Sequence, residues 1–264
     1  IKISCFIALL LITSSHYFSH EKLPKAFENI GITEKINTQA IMNIPVQSEN
    51  GNIKALNQHL DPNKPIILTF AYYRCPMLCQ LLLNGIRDSV LSSKRLFLGK
   101  DYQLVTVSMA KEDRLADLSK FREQYTRDLS PFAKKNWHFF ITDEKNRRLL
   151  TDSVGYAYKY VEESDDYAHQ SALIFLDAKG IIKRYVYGIL FNEDTLQKAF
   201  LESKDNKNLF EKTLMFCYLY DSERNSYVIH AKNVMKIMGF LTVLLLGGLL
   251  FKLFYDEHQK KSVV

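Results

Sequence analysis

Apolar runs separated by amphipathic stretches set out the elements of this chain. Ile66-Ile-Leu-Thr-Phe-Ala71 is continuously apolar apart from one threonine, the pattern of a strand buried on both faces rather than one alternating at a surface. Downstream, Leu78, Leu81, Leu82, Ile86 and Val90 recur at helical spacing. Pro76 just ahead of them suits a first helical turn, where its missing N–H would have had no partner. Tyr102–Met109 is a second apolar, β-branched run, and the stretch to Leu129 then places Leu115, Leu118, Phe121 and Tyr125 on one helical face. Trp137–Ile141 predicts a third strand, and Thr142-Asp143 a helix N-cap for a segment ending near Val154-Gly155. Strands alternating with helices imply parallel pairing. The next part differs: Ala172–Asp177 and Ile181–Tyr187, joined through Gly180, predict an antiparallel hairpin, and Asn192-Glu-Asp194 starts another helix.

A βαβ front, a ββα back and a cysteine pair at the first strand–helix junction make up a thioredoxin-like α/β fold, a central mixed sheet flanked by helices, over residues 41–205. Residues 1–19 carry one lysine, a short apolar run and small residues, which predicts a secretory signal peptide, with an uncleaved N-terminal anchor as the alternative. Residues 20–40 are polar and mixed and predict a linker. Asn50-Gly51 and Asp61–Pro65 are turn and loop signals. Residues 206–236 predict a juxtamembrane amphipathic segment, helical around Cys217. Residues 237–255 are apolar enough for a transmembrane helix, leaving 256–264 as a tail. The lysines around that span favour a cytoplasmic tail and an exported domain tethered from its C-terminal side.

Composition narrows the function classes. The chain has 264 residues, of which 47% are hydrophobic, enough for a packed core, and a net charge of +6. There is no basic run with interleaved aromatics, which argues against nucleic acid, and no glycine-rich phosphate loop, which argues against nucleotide chemistry. Four cysteines are too few for a disulfide scaffold. With Cys5 in the leader, a close pair, Cys75 and Cys79, and an odd thiol, Cys217, remain, the arrangement of a redox or metal site.

Arg74 and the helix N-terminus both favour thiolates at the pair. A spacing of four on a regular helix puts Cβ atoms about 5–6 Å apart, whereas a relaxed disulfide wants about 3.5–4.5 Å. That favours gripping a metal between two sulfurs, with oxidation still open because Cys75 stands at the helix start. Two soft thiolates select copper(I), zinc or iron–sulfur chemistry and need a third ligand. His16, His20 and His258 lie outside the domain; His59 reads as a loop residue, His138 as a packed strand histidine and His230 as a headgroup neighbour. His169, after the acidic loop Glu162–Asp166 and just before the hairpin, is the candidate, although from spacing alone a lone histidine is more often packed than ligating. Met77 and Met109 could add soft sulfur but sit in apolar, core-type patterns.

Tyr73-Arg-Cys-Pro-Met-Leu-Cys79, followed by Tyr167-Ala-His169, with Val105-Thr-Val-Ser108, Trp137-His-Phe139 and Tyr185-Val-Tyr-Gly188, resembles the Sco/SenC family over roughly residues 41–200. These are thioredoxin-like, copper-binding proteins of cytochrome c oxidase assembly. Cys217-Tyr-Leu-Tyr-Asp221 ahead of a membrane span is similar to a bacterial branch of that family. Gln80 stands where many members have a second proline, and Leu219 where that branch has histidine.

The resemblance implies copper as cofactor, with Cys75, Cys79 and His169 as its ligands. It implies the copper-bearing subunit of cytochrome c oxidase and other copper chaperones as partners, and a bacterial inner-membrane location with the domain on the periplasmic side. The expected activity is that of a metallochaperone passing copper by ligand exchange. The alternative is a membrane-tethered thiol–disulfide oxidoreductase that uses the same redox-active Cys75 and Cys79 to reduce oxidase cysteines and has no need of His169.

Overall fold

The computed structural model describes residues 30–261 apart from 76–77, 163–164, 205–206, 210, 213–214, 216–217, 222–225 and 230. The leader, most of the expected linker, Met77, Cys217, His230 and the last residues of the tail lie outside the described residues. Strands are β1 (Gly31–Ile32), β2 (Pro45–Ser48), β3 (Ile53–Ala55), β4 (Ile66–Ala71), β5 (Gln103–Ser108), β6 (Trp137–Ile141) and β7 (Tyr156–Ala157). They continue with β8 (Lys159–Val161), β9 (Asp166–Ala168), β10 (Ala172–Leu176), β11 (Ile182–Tyr187), β12 (Tyr218–Asp221) and β13 (Ser226–Ile229). Helices are α1 (Leu78–Ser92), α2 (Leu115–Thr126), α3 (Pro131–Lys135), α4 (Glu144–Ser153), α5 (Glu193–Ser203) and α6 (Ala231–Lys261).

The main sheet runs β11-β10-β4-β5-β6-β2-β3. β4, β5 and β6 are parallel neighbours, with Thr69 opposite Thr106 and Thr106 opposite Phe139. β10 closes on β4 antiparallel, Ile174 opposite Leu68 and Leu176 opposite Ile66. Every residue of β4, β5 and β10 is buried, as expected of runs covered on both faces. The few polar side chains inside are paired: the Trp137 indole donates to Thr106 Oγ1 at 3.0 Å, and the Thr69 hydroxyl donates to Ala172 O at 3.0 Å. Asp143 caps α4 by accepting from Asn146 N, and Asn192 caps α5 by accepting from Asp194 N. The loop after β11 lies so close on α1 that a Cβ at Gly85 would meet Ile189 O at 1.9 Å. Only glycine fits there.

Several expectations need correction. Residues 31–40, assigned to a linker, are packed on the domain: β1 pairs with β7, and Ala40 is buried. The amphipathic helix expected around Cys217 gives way, over Tyr218–Ile229, to the antiparallel pair β12–β13. Its Tyr218 ring sits under the Lys198 ammonium of α5 at 4.0 Å. Alternating Tyr218-Leu-Tyr220 suits a strand as well as it suits a helix, and cross-strand pairing decided between them. His59 is not in an open loop but on a single 3-10 turn, Leu56–His59, with its ring 4.9 Å from that of Phe140. Lys159–Val161 and Asp166–Ala168, on either side of the acidic loop, pair antiparallel as β8 and β9.

α6 extends beyond the expected span on both sides. Its Lys232–Leu253 segment, of mean hydropathy 2.2, is long and apolar enough to cross a membrane by length and composition. Its leucines, Leu245 among them, are exposed.

His138 is packed in β6, stacked on Phe140, and burial, with the His59 and Arg122 charges adding, pushes its pKa down to about 4. An unfolded chain takes up that proton near pH 6.5 while the folded one does not until about 4, so acid favours unfolding through this window. A full shift of that size is worth on the order of 3 kcal/mol. Denaturant midpoints at about pH 7 and about pH 4.5 should therefore fall further for wild type than for His138→Gln. Equal losses would show that His138 is not the group responsible.

Candidate metal centre

β4 ends at Ala71, and the chain turns through Tyr72–Cys75, closed by Cys75 N donating to Tyr72 O at 3.0 Å. Cys75 precedes α1 and Cys79 lies in its first turn, so one sulfur belongs to the turn and the other to the helix. Both cysteines are reduced and buried, at 5% and 0% exposure. The Tyr72 amide donates to Cys79 Sγ at 3.3 Å, and the Cys79 amide donates to Cys75 Sγ at 3.5 Å. Gln80, the residue in place of proline, donates its side-chain amide to Cys75 O at 3.2 Å. The loop is thus tied at both cysteines by groups from its own turn and helix.

His169 reaches this loop from just ahead of β10, the strand next to β4. Because β10 runs antiparallel to β4, the residues ahead of Ala172 lie at the same end of the sheet as the residues after Ala71. The His169 Nε2 stands 3.6 Å from Cys79 Sγ, across 90 residues of chain. Its Nδ1 lies 2.9 Å from the Tyr156 hydroxyl and 3.3 Å from Gln170 O. Burial lowers the His169 pKa, so the ring is neutral and can offer a lone pair.

The three residues singled out from sequence therefore share one location. Among the described residues, no three His, Cys, Asp or Glu side chains are gathered tightly enough to form a finished cage. What exists is a direct Cys79–His169 contact, with Cys75 joined to Cys79 by hydrogen bonding. Two sulfurs and a neutral imidazole are a donor set suited to a soft cation.

The expected electrostatics of the thiols are not met. The Cys79 thiol is pushed well above its ordinary range, by its hydrogen bond with Cys75 first and by burial second. Arg74 does not offset this, because its guanidinium is turned toward the Asp113 carboxylate, Nε to Oδ1 3.7 Å, and over the Tyr72 ring at 5.8 Å. Cys79 is thus held as a thiol. His59 and His138 sit together elsewhere, on Phe140. Met109 is buried core.

Three supporting residues were given no role from sequence. Gln80 stands out only as a departure from the family motif, and Tyr156 carries no motif signal. Asp113 stands in the charged run Lys111-Glu-Asp-Arg114 and reads as the start of a helix, yet α2 begins at Leu115. Its buried carboxylate instead accepts from Tyr73 N at 2.8 Å and from the Ser108 hydroxyl at 2.6 Å. It anchors the cysteine turn to the end of β5.

No protein-family model matches the chain, and no curated protein does. Solved structures do. A candidate electron transfer protein from Aquifex aeolicus VF5 matches with TM-score 0.57 and 22% identity, over 66% of this chain and 98% of that one. A candidate electron transport protein of the same organism matches with TM-score 0.54 and 22% identity, over 65% and 99%. BsSco, a member of the Sco family of cytochrome c oxidase assembly proteins in which a disulfide switch was identified, matches with TM-score 0.50 and 15% identity, over 66% and 99%. The chain has the fold of a Sco protein. That agrees with the thioredoxin-like arrangement read from the strand order, and the likeness at these identities is one of fold.

Asp113→Ala removes the acceptor of a buried N–H and a buried O–H in this Sco-like domain. It should cost about 2–3 kcal/mol of stability. It should also speed the reaction of Cys75 and Cys79 with a thiol reagent under native conditions. A variant of wild-type stability and thiol reactivity would remove Asp113 from its place as anchor of the turn.

Proposed function

We propose that this chain is a membrane-tethered copper protein of the Sco/SenC kind, which holds copper by Cys75, Cys79 and His169 and hands it by ligand exchange to the copper-bearing subunit of cytochrome c oxidase. The observation that carries the reading is the 3.6 Å approach of His169 Nε2 to Cys79 Sγ, in a chain whose motifs resemble that family. Thiolates and imidazole together suit copper(I). Two sulfurs and one nitrogen also leave room for a donor from the recipient, which ligand exchange requires. BsSco, whose fold the chain shares, is described as belonging to a family of oxidase assembly proteins. The Lys232–Leu253 segment supplies the tether, with the domain on the exported side and other copper chaperones as suppliers.

The residues divide the work. Cys79 gives up a proton held by its hydrogen bond with Cys75 and by burial, so copper uptake releases protons and strengthens as pH rises. His169 is already neutral, because burial disfavours its charged form. Asp113 and Gln80 hold the turn that carries Cys75.

One observation favours a second reading. The two thiols are hydrogen-bonded to each other, and the Cys79 amide points at Cys75 Sγ. A thiol–disulfide reductase would use this pair, losing two electrons and two protons to a partner disulfide that becomes two thiols. His169 would have no part in it.

Copper retained by the fully reduced full-length chain in detergent, against a competing chelator, separates the two. Wild type should hold near-stoichiometric copper and His169→Ala should bind at least about tenfold more weakly. Equal retention by both would remove His169 from the ligand set, and no copper on wild type together with a rapidly exchanging Cys75–Cys79 disulfide would favour the reductase.

A further inference from the structure

Tyr156 is placed with unusual constraint. Gly155, at φ 66°, ends α4 in a left-handed turn so close to residue 33 that a Cβ there would meet Thr33 O at 1.9 Å. The next residue then enters β7, opposite Ile32. The Tyr156 ring is 2% exposed and packs on Phe70, centroids 4.6 Å apart, in the strand that leads into the cysteine turn. Its hydroxyl is 2.9 Å from Gln170 O and 2.9 Å from His169 Nδ1. An ordinary tyrosine hydroxyl carries its proton at neutral pH.

A hydroxyl has one proton to give. Gln170 O is a carbonyl and can only accept. If Tyr156 donates to Gln170 O, the lone pairs of its oxygen face Nδ1, and both contacts are satisfied only when Nδ1 carries the hydrogen. The 3.3 Å contact of Nδ1 with the same carbonyl asks for that hydrogen as well. The other tautomer turns the tyrosine proton toward Nδ1 and leaves Gln170 O without it. It also aims an N–H, rather than a lone pair, at Cys79 Sγ.

We infer that Tyr156 is a positioning residue that fixes His169 in the Nδ1–H tautomer and so presents the Nε2 lone pair to Cys79 and whatever cation joins them. A histidine ligand whose second nitrogen is held by a neighbour is oriented and made more basic at the first. Here the neighbour is a buried tyrosine instead of a carboxylate, which adds no charge to the site. The orientation of the ring follows from the protein alone; its effect on metal holding rests on the reading of His169 as a ligand.

The test uses the full-length chain in detergent, labelled with 15N-histidine, metal-free and reduced, at a pH of about 7.5, above the ordinary histidine range. Long-range 1H–15N spectra separate protonated from unprotonated ring nitrogens, and His169→Gln identifies the His169 signals. Wild type should show Nδ1 protonated and Nε2 bare. Tyr156→Phe, which keeps the buried ring and removes only the hydroxyl, should show a mixture of tautomers and weaken copper retention by about tenfold. A wild-type ring protonated at Nε2, or a tautomer unmoved by the substitution, overturns the inference. A tautomer that moves while copper retention stays at the wild-type level upholds the placing of the His169 proton by Tyr156 and contradicts any effect of it on metal holding.

Discussion

The antiparallel register of β10 on β4 is the constraint on which this site depends. β4 delivers the cysteine turn from its C-terminal end, and β10 receives the chain from His169 at its N-terminal end. Only antiparallel pairing with Ile174 opposite Leu68 puts those two ends side by side. A slip of one residue would exchange the side chains that β10 sends to its two buried faces and would carry His169 away from Cys79. The Thr69 hydroxyl on Ala172 O ties the two strands beside the site, and both strands pack into buried layers. Ninety residues of chain are thereby closed into a contact between one sulfur and one nitrogen.

Electrostatics then set the resting state. The turn is anchored by a buried carboxylate, Asp113, and Arg74 is drawn to that carboxylate rather than to the thiols. The sulfurs are consequently left with little positive charge and Cys79 keeps its proton. The imidazole beside it is neutral because burial disfavours its charged form. A protonated Cys79 beside a neutral ring is a site from which the proposed copper uptake would have to displace a proton.

Much of this was legible in the sequence. The runs at Ile66, Gln103, Trp137, Ala172 and Ile182 became strands at the expected places, because continuous apolar stretches leave few other solutions. Asp143 and Asn192 became helix caps because short side-chain oxygens at a helix start satisfy amides that nothing else reaches. Cys75, Cys79 and His169 were found from their order and setting, and the structure brings them together. Illegible were the residues that act through a single tertiary hydrogen bond. Tyr156 is one aromatic among many, and Asp113 looks like surface charge until Tyr73 and Ser108 close over it. The β12–β13 pair was misread because Tyr218-Leu-Tyr220 fits two periodicities at once, and only the partner strand distinguishes them.

The most direct measurement is X-ray absorption at the copper edge on the copper-loaded, reduced full-length chain. A first shell of two sulfurs and one imidazole nitrogen, with the nitrogen lost in His169→Ala, is the result expected of a Cys75–Cys79–His169 centre. A shell of sulfur alone, or one that His169→Ala leaves unchanged, would contradict it.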